Sequence, residues 1–324
     1  MKGRLPVRST GLLAGLLIAC LALPARAQDH VTVVLDWFVN PDHAALIVAD
    51  EIGAFRKRGI DLDLIAPADP DTPVRIVAAG DADFAIGYQI SLYHQVERGL
   101  PIVRVASLID GPVMTLETLT GHGHDIASIA DLRGRRIGLQ VRSSDEMKAI
   151  LQRMLSTAGL SLTDVRLTDV GAMLETALLT NEDDAQLMLR NFETPSLEAQ
   201  HVQPRGFNIE DYGVPPFDNL IVVTRRGRER TDLTRRFVAA LSEGAAYVSA
   251  HPDESWQLLL RHHPDLDDTL NRRAYALTLP ALARHPARLD EARYRNFEKF
   301  LQDAGVVHDL PPLDHYAIGL DQAP

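Results

Sequence analysis

The sequence predicts a two-lobed α/β protein, each lobe a mainly parallel sheet flanked by helices, with a helical C-terminal tail packed on the first lobe. Three observations lead there. Short β-branched apolar runs alternate with helix-like segments between residues 31 and 224; the alternation starts afresh near Gly111-Pro112; and longer helical patterns take over from Thr231. Repeated strand–helix–strand units with short connections form parallel sheets covered on both faces. A length of 324 residues with 46% hydrophobic content accommodates one large domain or two ordinary ones.

Residues 1–27 come first in the chain. They carry Lys2, Arg4, Arg8 and Arg26 without an acid, and residues 11–23 form an apolar run too short to span a bilayer comfortably. Ala25-Arg26-Ala27 supplies small residues at the two positions a signal peptidase reads, so 1–27 reads as a secretory signal peptide. The alternative is a lipoprotein leader, with a lipid on Cys20, because Leu17-Ile18-Ala19-Cys20 loosely fits an attachment box. Cleavage after Ala27 would leave 29 basic against 44 acidic residues, a net charge of −15 where the whole chain has −11. That balance argues against a nucleic-acid partner, which needs a basic stripe. The lone cysteine excludes a disulfide scaffold and a cysteine-based zinc cluster.

The strands and helices follow in order. Residues 31–35 are a β-branched run, and residues 43–51 have helical composition, with Gly53 and Gly59 as stops. Leu62 and Leu64 alternate with Asp61 and Asp63 as a second strand, and 72–79 is a helix stopped by Gly80. A third strand over 82–87, a helix over 91–98 and a fourth strand over 102–108 complete the first series. In the second series 136–140 is a strand and 145–158 a helix introduced by Ser143-Ser144. Segments 165–170, 172–179 and 185–189 continue the alternation, and 219–224 is an apolar strand after Pro215-Pro216. The tail reads as helices over 231–250, 253–262, 267–279 and 290–304, the third ending at Pro280. Lobe 1 is therefore expected at 28–111 and 225–324, and lobe 2 at 112–224, with crossovers near 108–114 and 219–224.

Ligands of open α/β sheets bind beyond the carboxyl ends of the strands. The residues found there are Asp36, Trp37, Asn40 and His43 after the first strand, Tyr88 and Gln89 after the third, and Asn191 and Glu193 after 185–189. Stacking faces beside amides and carboxylates form a composition suited to a flat, uncharged or weakly basic heterocycle. Each residue also has a structural reading. Asn40-Pro41-Asp42 is a strong turn signal, Asp42 reads as a helix N-cap, and Trp37 and Tyr88 suit a packed lobe surface equally well.

The run Leu35-Asp36-Trp37-Phe38-Val39-Asn40-Pro41-Asp42-His43 resembles the L-D-W-x-x-N-x-x-H opening of one family. So do Gly80 through Gln89 and Asp131-Leu132-Arg133-Gly134-Arg135-Arg136-Ile137-Gly138. The chain is thus similar to the thiamine-pyrimidine-precursor group of type II periplasmic binding proteins, relatives of the eukaryotic thiamine-pyrimidine synthases. The resemblance implies a periplasmic protein, without a cofactor, that closes around a small aminopyrimidine and delivers it to the permease subunits of an ABC transporter. It implies that Trp37 and Tyr88 sandwich the ring while Asn40, Gln89 and Glu193 bond its edge, with Asp36 and His43 in the same motif. One departure stands out: family members carry further aromatics before the second-lobe glutamate, where this chain has Leu189-Arg190-Asn191-Phe192.

Two rival readings accompany it. The synthase branch uses the motif histidine, here His43, as a reactant with pyridoxal phosphate and iron; the signal peptide and the missing cysteine-rich iron motif weigh against that here. A sulfonate or nitrate-like anion is the other, since Ser143 and Ser144 at a helix start offer free N–H groups, although Ser144 also reads as a plain N-cap. His122-Gly123-His124-Asp125 reads as a flexible loop before a metal site. The arginines of 225–230 read as a solvated turn, with docking to transporter subunits as their alternative use.

Overall fold

A computed structural model describes residues 28–69, 72–121, 125–139, 144–170 and 174–321. The leader with Cys20, the 122–124 part of the histidine loop, and Ser143 lie outside the described residues.

Among the described residues the strands are β1 (Asp29–Val34), β2 (Ile60–Ile65), β3 (Phe84–Tyr88), β4 (Ile102–Ile109), β5 (Met114–Thr120), β6 (Arg136–Leu139), β7 (Arg166–Asp169), β8 (Ala185–Leu189), β9 (Gln203–Asn208) and β10 (Leu220–Arg225). Between and after them run α1 (Ala44–Glu51), α2 (Pro73–Ala79), α3 (Gln89–Glu97), α4 (Ser144–Ser156), α5 (Leu174–Leu179), α6 (Glu193–Ala199), α7 (Asp232–Ala250), α8 (Pro252–His262), α9 (Thr269–Thr278) and α10 (Glu291–Asp303). The strands form two five-stranded sheets, in the orders β2-β1-β3-β10-β4 and β7-β6-β8-β5-β9.

Both sheets are mixed. The βαβ units give the expected parallel pairs β1–β2, β1–β3, β6–β7 and β6–β8, while β10 and β5 run antiparallel to both of their neighbours. This corrects the placement of residues 220–224 in the second lobe. Leu220 to Thr224 are all buried, and β10 sits between β3 and β4, where both of its apolar faces are covered. The return crossover therefore precedes Leu220. Two strands carried no sequence prediction. In β5 the polar Thr115 and Glu117 alternate with apolar residues but are buried too, and β9 holds Pro204 and Gly206, which suit its position at the sheet edge.

The tail packs on the first sheet. Phe237 of α7 stacks on Phe84 with ring centroids 4.0 Å apart, and the outer edge of β4 is covered by bridges from Arg104 to Ala317 and from Ile109 to Leu282. Gly244 lets α7 lie directly on α1: a Cβ there would stand 2.3 Å from the Ala45 carbonyl oxygen and 2.5 Å from the Ala49 Cβ. Gly244→Ala is expected to destabilise the fold by about 1–3 kcal/mol through overpacking. A lower midpoint in urea unfolding checks this, and an unchanged midpoint would mean that the two helices separate freely.

Behind the crossovers lies a buried charged cluster around Asp218. Its carboxylate accepts from Arg293 Nη1 at 2.7 Å, from Tyr294 Oη at 3.0 Å and from Ser107 Oγ, and it stands 3.8 Å from Arg104 Nη2. Arg293 also donates to the Asp110 carbonyl at 2.6 Å, so α10 holds both crossovers together.

Candidate functional site

The first lobe builds its part of the site on the turn after β1. Pro41–His43 is a short 3-10 turn capped by Asn40, whose Oδ1 accepts the Asp42 N–H at 2.8 Å. The Asn40 N–H donates to His43 Nδ1 at 3.3 Å, which puts the ring proton on Nε2. That nitrogen meets Asp36 Oδ1 at 2.9 Å, and Tyr88 Oη donates to Asp36 Oδ2 at 2.6 Å. Asp36 thus links the ends of β1 and β3. Burial raises its pKa, but the hydrogen bond from His43 with its electrostatic attraction, and the bond from Tyr88, outweigh that and hold the carboxyl below its ordinary value. Burial, and then the charge of Asp36, push the Tyr88 phenol well above its ordinary range.

The second lobe contributes the turn after β8. Asn191 is 1% exposed, and its Nδ2 donates to Asp42 Oδ1 at 2.7 Å and to Thr278 Oγ1 of α9 at 2.9 Å. Thr278 Oγ1 also donates to Asp42 Oδ1 at 2.7 Å, so the three residues bond first lobe, second lobe and tail. Burial pushes the Asp42 carboxyl up to about 6, against the lowering effect of Thr278 and His43. Asn191 Oδ1 is buried with no partner among the described residues. Glu193, half-buried, opens α6 and turns Oε2 onto the Leu189 N–H at 2.9 Å. Burial pushes it up to about 8, and repulsion from Glu175 and Asp42 adds to this.

Aromatic rings line the same region. Trp37 and Phe38 are 37% and 48% exposed, with centroids 5.6 Å apart, and Phe38 meets Phe192 of the second lobe edge-on at 6.0 Å. Flat faces from both lobes therefore stand beside acceptor oxygens from the second.

Asp36, His43 and Tyr88 are joined by hydrogen bonds, Asn191 reaches Asp42 of the same turn, Trp37 reaches Phe192 through Phe38, and Glu193 is near enough to Tyr88 and Asp42 for their charges to act on one another. Two expectations change. Gln89 is fully buried, donates to Tyr93 Oη at 2.6 Å and accepts the Asp218 N–H at 2.6 Å, so its amide holds the crossover. Asn40 spends Oδ1 on the turn and donates Nδ2 to the Phe38 carbonyl at 3.1 Å. Each side-chain acceptor thus takes one hydrogen bond from inside the protein. Asp42 is not the N-cap; Asn40 caps the turn and Asp42 reaches across the lobes. Arg190 points away, donating to Glu210 at 2.8 Å and to the Pro112 carbonyl at the first crossover. Phe38, Phe192 and Thr278 join the group without a sequence prediction; the two phenylalanines adjoin predicted residues, whereas Thr278 carries no local signal.

A family model described as NMT1/THI5 like matches residues 40–255 of the chain. A protein of Haemophilus influenzae named for thiamine biosynthesis is 39% identical over 303 residues, 93% of this chain and 95% of that one. A formylaminopyrimidine-binding protein of Halalkalibacterium halodurans is 31% identical, over 74% of this chain and 72% of its own. A 4-amino-5-hydroxymethyl-2-methylpyrimidine phosphate synthase of Legionella pneumophila is 28% identical, over 79% and 81%. Among solved structures, the alkanesulfonate-binding protein SsuA of Xanthomonas axonopodis pv. citri superposes with a TM-score of 0.69 at 15% identity, over 90% of this chain and 99% of that one. That likeness is one of fold, and the fold is that of the type II periplasmic binding proteins.

Proposed function

Because the chain belongs to the NMT1/THI5-like family, we propose that it is an exported solute-binding protein that captures a small aminopyrimidine thiamine precursor between its lobes and passes it to an ABC importer. The observation that carries this reading is the unpaired acceptor Asn191 Oδ1, buried in the turn that also holds Phe192, whose ring meets Phe38 of the first lobe, and Glu193. A buried acceptor without a donor is costly, and an exocyclic amino group or a protonated ring nitrogen relieves it. The aromatic rings add stacking worth about 0.5–1.5 kcal/mol per face. A sulfonate or nitrate-like anion brings acceptors only, and the unpaired Asn191 Oδ1 offers it no donor.

The Legionella relative keeps a synthase reading in view. In that reading His43 is a reactant, yet here it is fully buried, and both ring nitrogens are engaged by Asn40 and Asp36. Its geometry supports a role in shaping the turn. For the iron of that reading, no group of three or more metal-ligating side chains occurs among the described residues.

Native mass spectrometry of the protein purified gently from its own cell envelope tests the proposal. A co-purifying aminopyrimidine supports it, and a sulfonate or no uptake from saturating 4-amino-5-hydroxymethyl-2-methylpyrimidine overturns it. Trp37→Ala is expected to weaken binding of that pyrimidine about tenfold, near 1.4 kcal/mol, while the fold survives. Equal affinities by calorimetry would remove Trp37 from the ligand's face.

A further inference from the structure

The second lobe holds a polar cluster that the candidate site does not use. Thr115 and Glu117 lie two residues apart on β5 and so share one face of the sheet. Glu117 stands opposite Gln186 on β8 and Gly206 on β9. Thr115, Glu117 and Gln186 are all at most 1% exposed, and Thr115 Oγ1, Glu117 Oε1 and Gln186 Oε1 are each buried without a partner. The space is made by Gly206. Where its Cβ would sit, Thr115 Oγ1 lies 2.6 Å away, Glu117 Oε2 3.2 Å and Glu117 Oε1 3.6 Å.

The cluster leads to the site through one bond. Glu117 Oε2 accepts from Thr194 Oγ1 at 2.9 Å, and Thr194 is the residue after Glu193 in the first turn of α6. We propose that Glu117 is a positioning residue for Glu193, holding the first turn of α6 through Thr194 and doing so as a proton-bearing carboxyl group.

The proton follows from the bonding. An ionised carboxylate would bury charge on Oε1, which has no hydrogen-bond partner among the described residues, a costly arrangement. A proton on Oε1 removes that buried charge. Burial acts in the same direction, pushing Glu117 up to about 7 against the bond from Thr194. The groups facing it are consistent with this. Glu198 of α6 repels its charge and is itself paired with Arg273 of α9 at 3.5 Å. Gln186 gives its amide to Asp183, β9 presents Gly206, and Thr115 is neutral. No cation meets Glu117 among the described residues.

The inference rests on the ligand reading only in giving Glu193 a ligand, so its test begins without one. In the full chain, the Leu189 amide resonance reports Glu193, whose Oε2 accepts that N–H. Across a titration from about pH 6 to pH 9 it is expected to show two inflections in the wild type and one in Glu117→Gln. Thr194→Val also leaves one, although the Glu117 carboxyl carbon still titrates, and Thr194→Ser restores two. A Leu189 profile that is the same in wild type and Glu117→Gln overturns the proposal. Affinity for 4-amino-5-hydroxymethyl-2-methylpyrimidine then gives the second arm. Glu117→Gln is expected to stay within about twofold of wild type near pH 6 and to lose part of the pH dependence, whereas Thr194→Val weakens binding about fivefold. Equal pH dependence in Glu117→Gln and wild type overturns the coupling. A wild type that binds no pyrimidine overturns the ligand reading instead, and the ligand-free titration still decides the role of Glu117.

Discussion

Asp218→Ala is expected to lower the unfolding free energy by about 3–5 kcal/mol, the usual effect of stranding a buried charge. Arg104 is fully buried, and Asp218 is the carboxylate beside it, at 3.8 Å. The other bonds of Arg104 go to the carbonyls of Ile318, Arg288 and Pro286 and to Ser107, none of which carries a charge. The same substitution removes the carboxylate that accepts from Arg293, Tyr294 and Ser107, so the second crossover loses its side-chain tie to α10, while Arg293 keeps its bond to the Asp110 carbonyl at the first. Asp218→Asn keeps part of the hydrogen bonding and is expected to cost less. Urea unfolding of the two variants beside wild type decides the matter. Equal midpoints would mean that carbonyl dipoles alone stabilise Arg104.

Stability is expected to fall by about 4 kcal/mol between pH 5 and pH 8, since each tenfold change in the affinity of a group for its proton is worth about 1.4 kcal/mol. The groups responsible are Asp42 and Glu117, both buried, which burial pushes from 3.8 to about 6 and from 4.5 to about 7. Both values are raised in the folded chain. Over the window between unfolded and folded values the folded state therefore binds more protons, and rising pH favours unfolding. Asp36 acts with the opposite sign: its lowered value contributes stability that is fully present above the unfolded pKa and is lost only as pH falls through the folded one. The optimum is thus expected on the mildly acidic side. Glu193 adds in the same direction as Asp42, but its partial exposure screens the effect and it is left out of the figure. Denaturant unfolding at the two pH values provides the check, and Glu117→Gln should flatten the slope by more than half. A stability that is level or rises over this range would mean that these carboxyls titrate normally.

Much of the architecture was legible in local pattern. The mainly apolar runs at the positions of β1, β3, β4, β8 and β10 are strands because their side chains are buried on the sheet, and Gly80 ends α2 at a φ of +95° that other residues rarely adopt. The strands β5 and β9 were not legible. Their polar residues, proline and glycine break the apolar run that signals a strand, and they pair because neighbouring chain arrives from elsewhere. The candidate site divides in the same way. Asp36, Trp37, Tyr88, Asn191 and Glu193 stand out as polar and aromatic residues at strand ends. Gln89 looks like one of them, yet the backbone group that occupies its carbonyl belongs to Asp218, 129 positions away.

By itself, then, the sequence determined the kinds of element, their order along the chain and the strand ends where polar and aromatic groups gather. These are set by side-chain periodicity and backbone preference, which act over a few residues. The tertiary structure alone decided that β10 returns to the first sheet, that Asp42 reaches Asn191 across the lobes, and that Gln89 and Asn40 use their acceptors within the fold. Those outcomes depend on which buried donor meets which acceptor, and burial brings such partners together from distant parts of the chain.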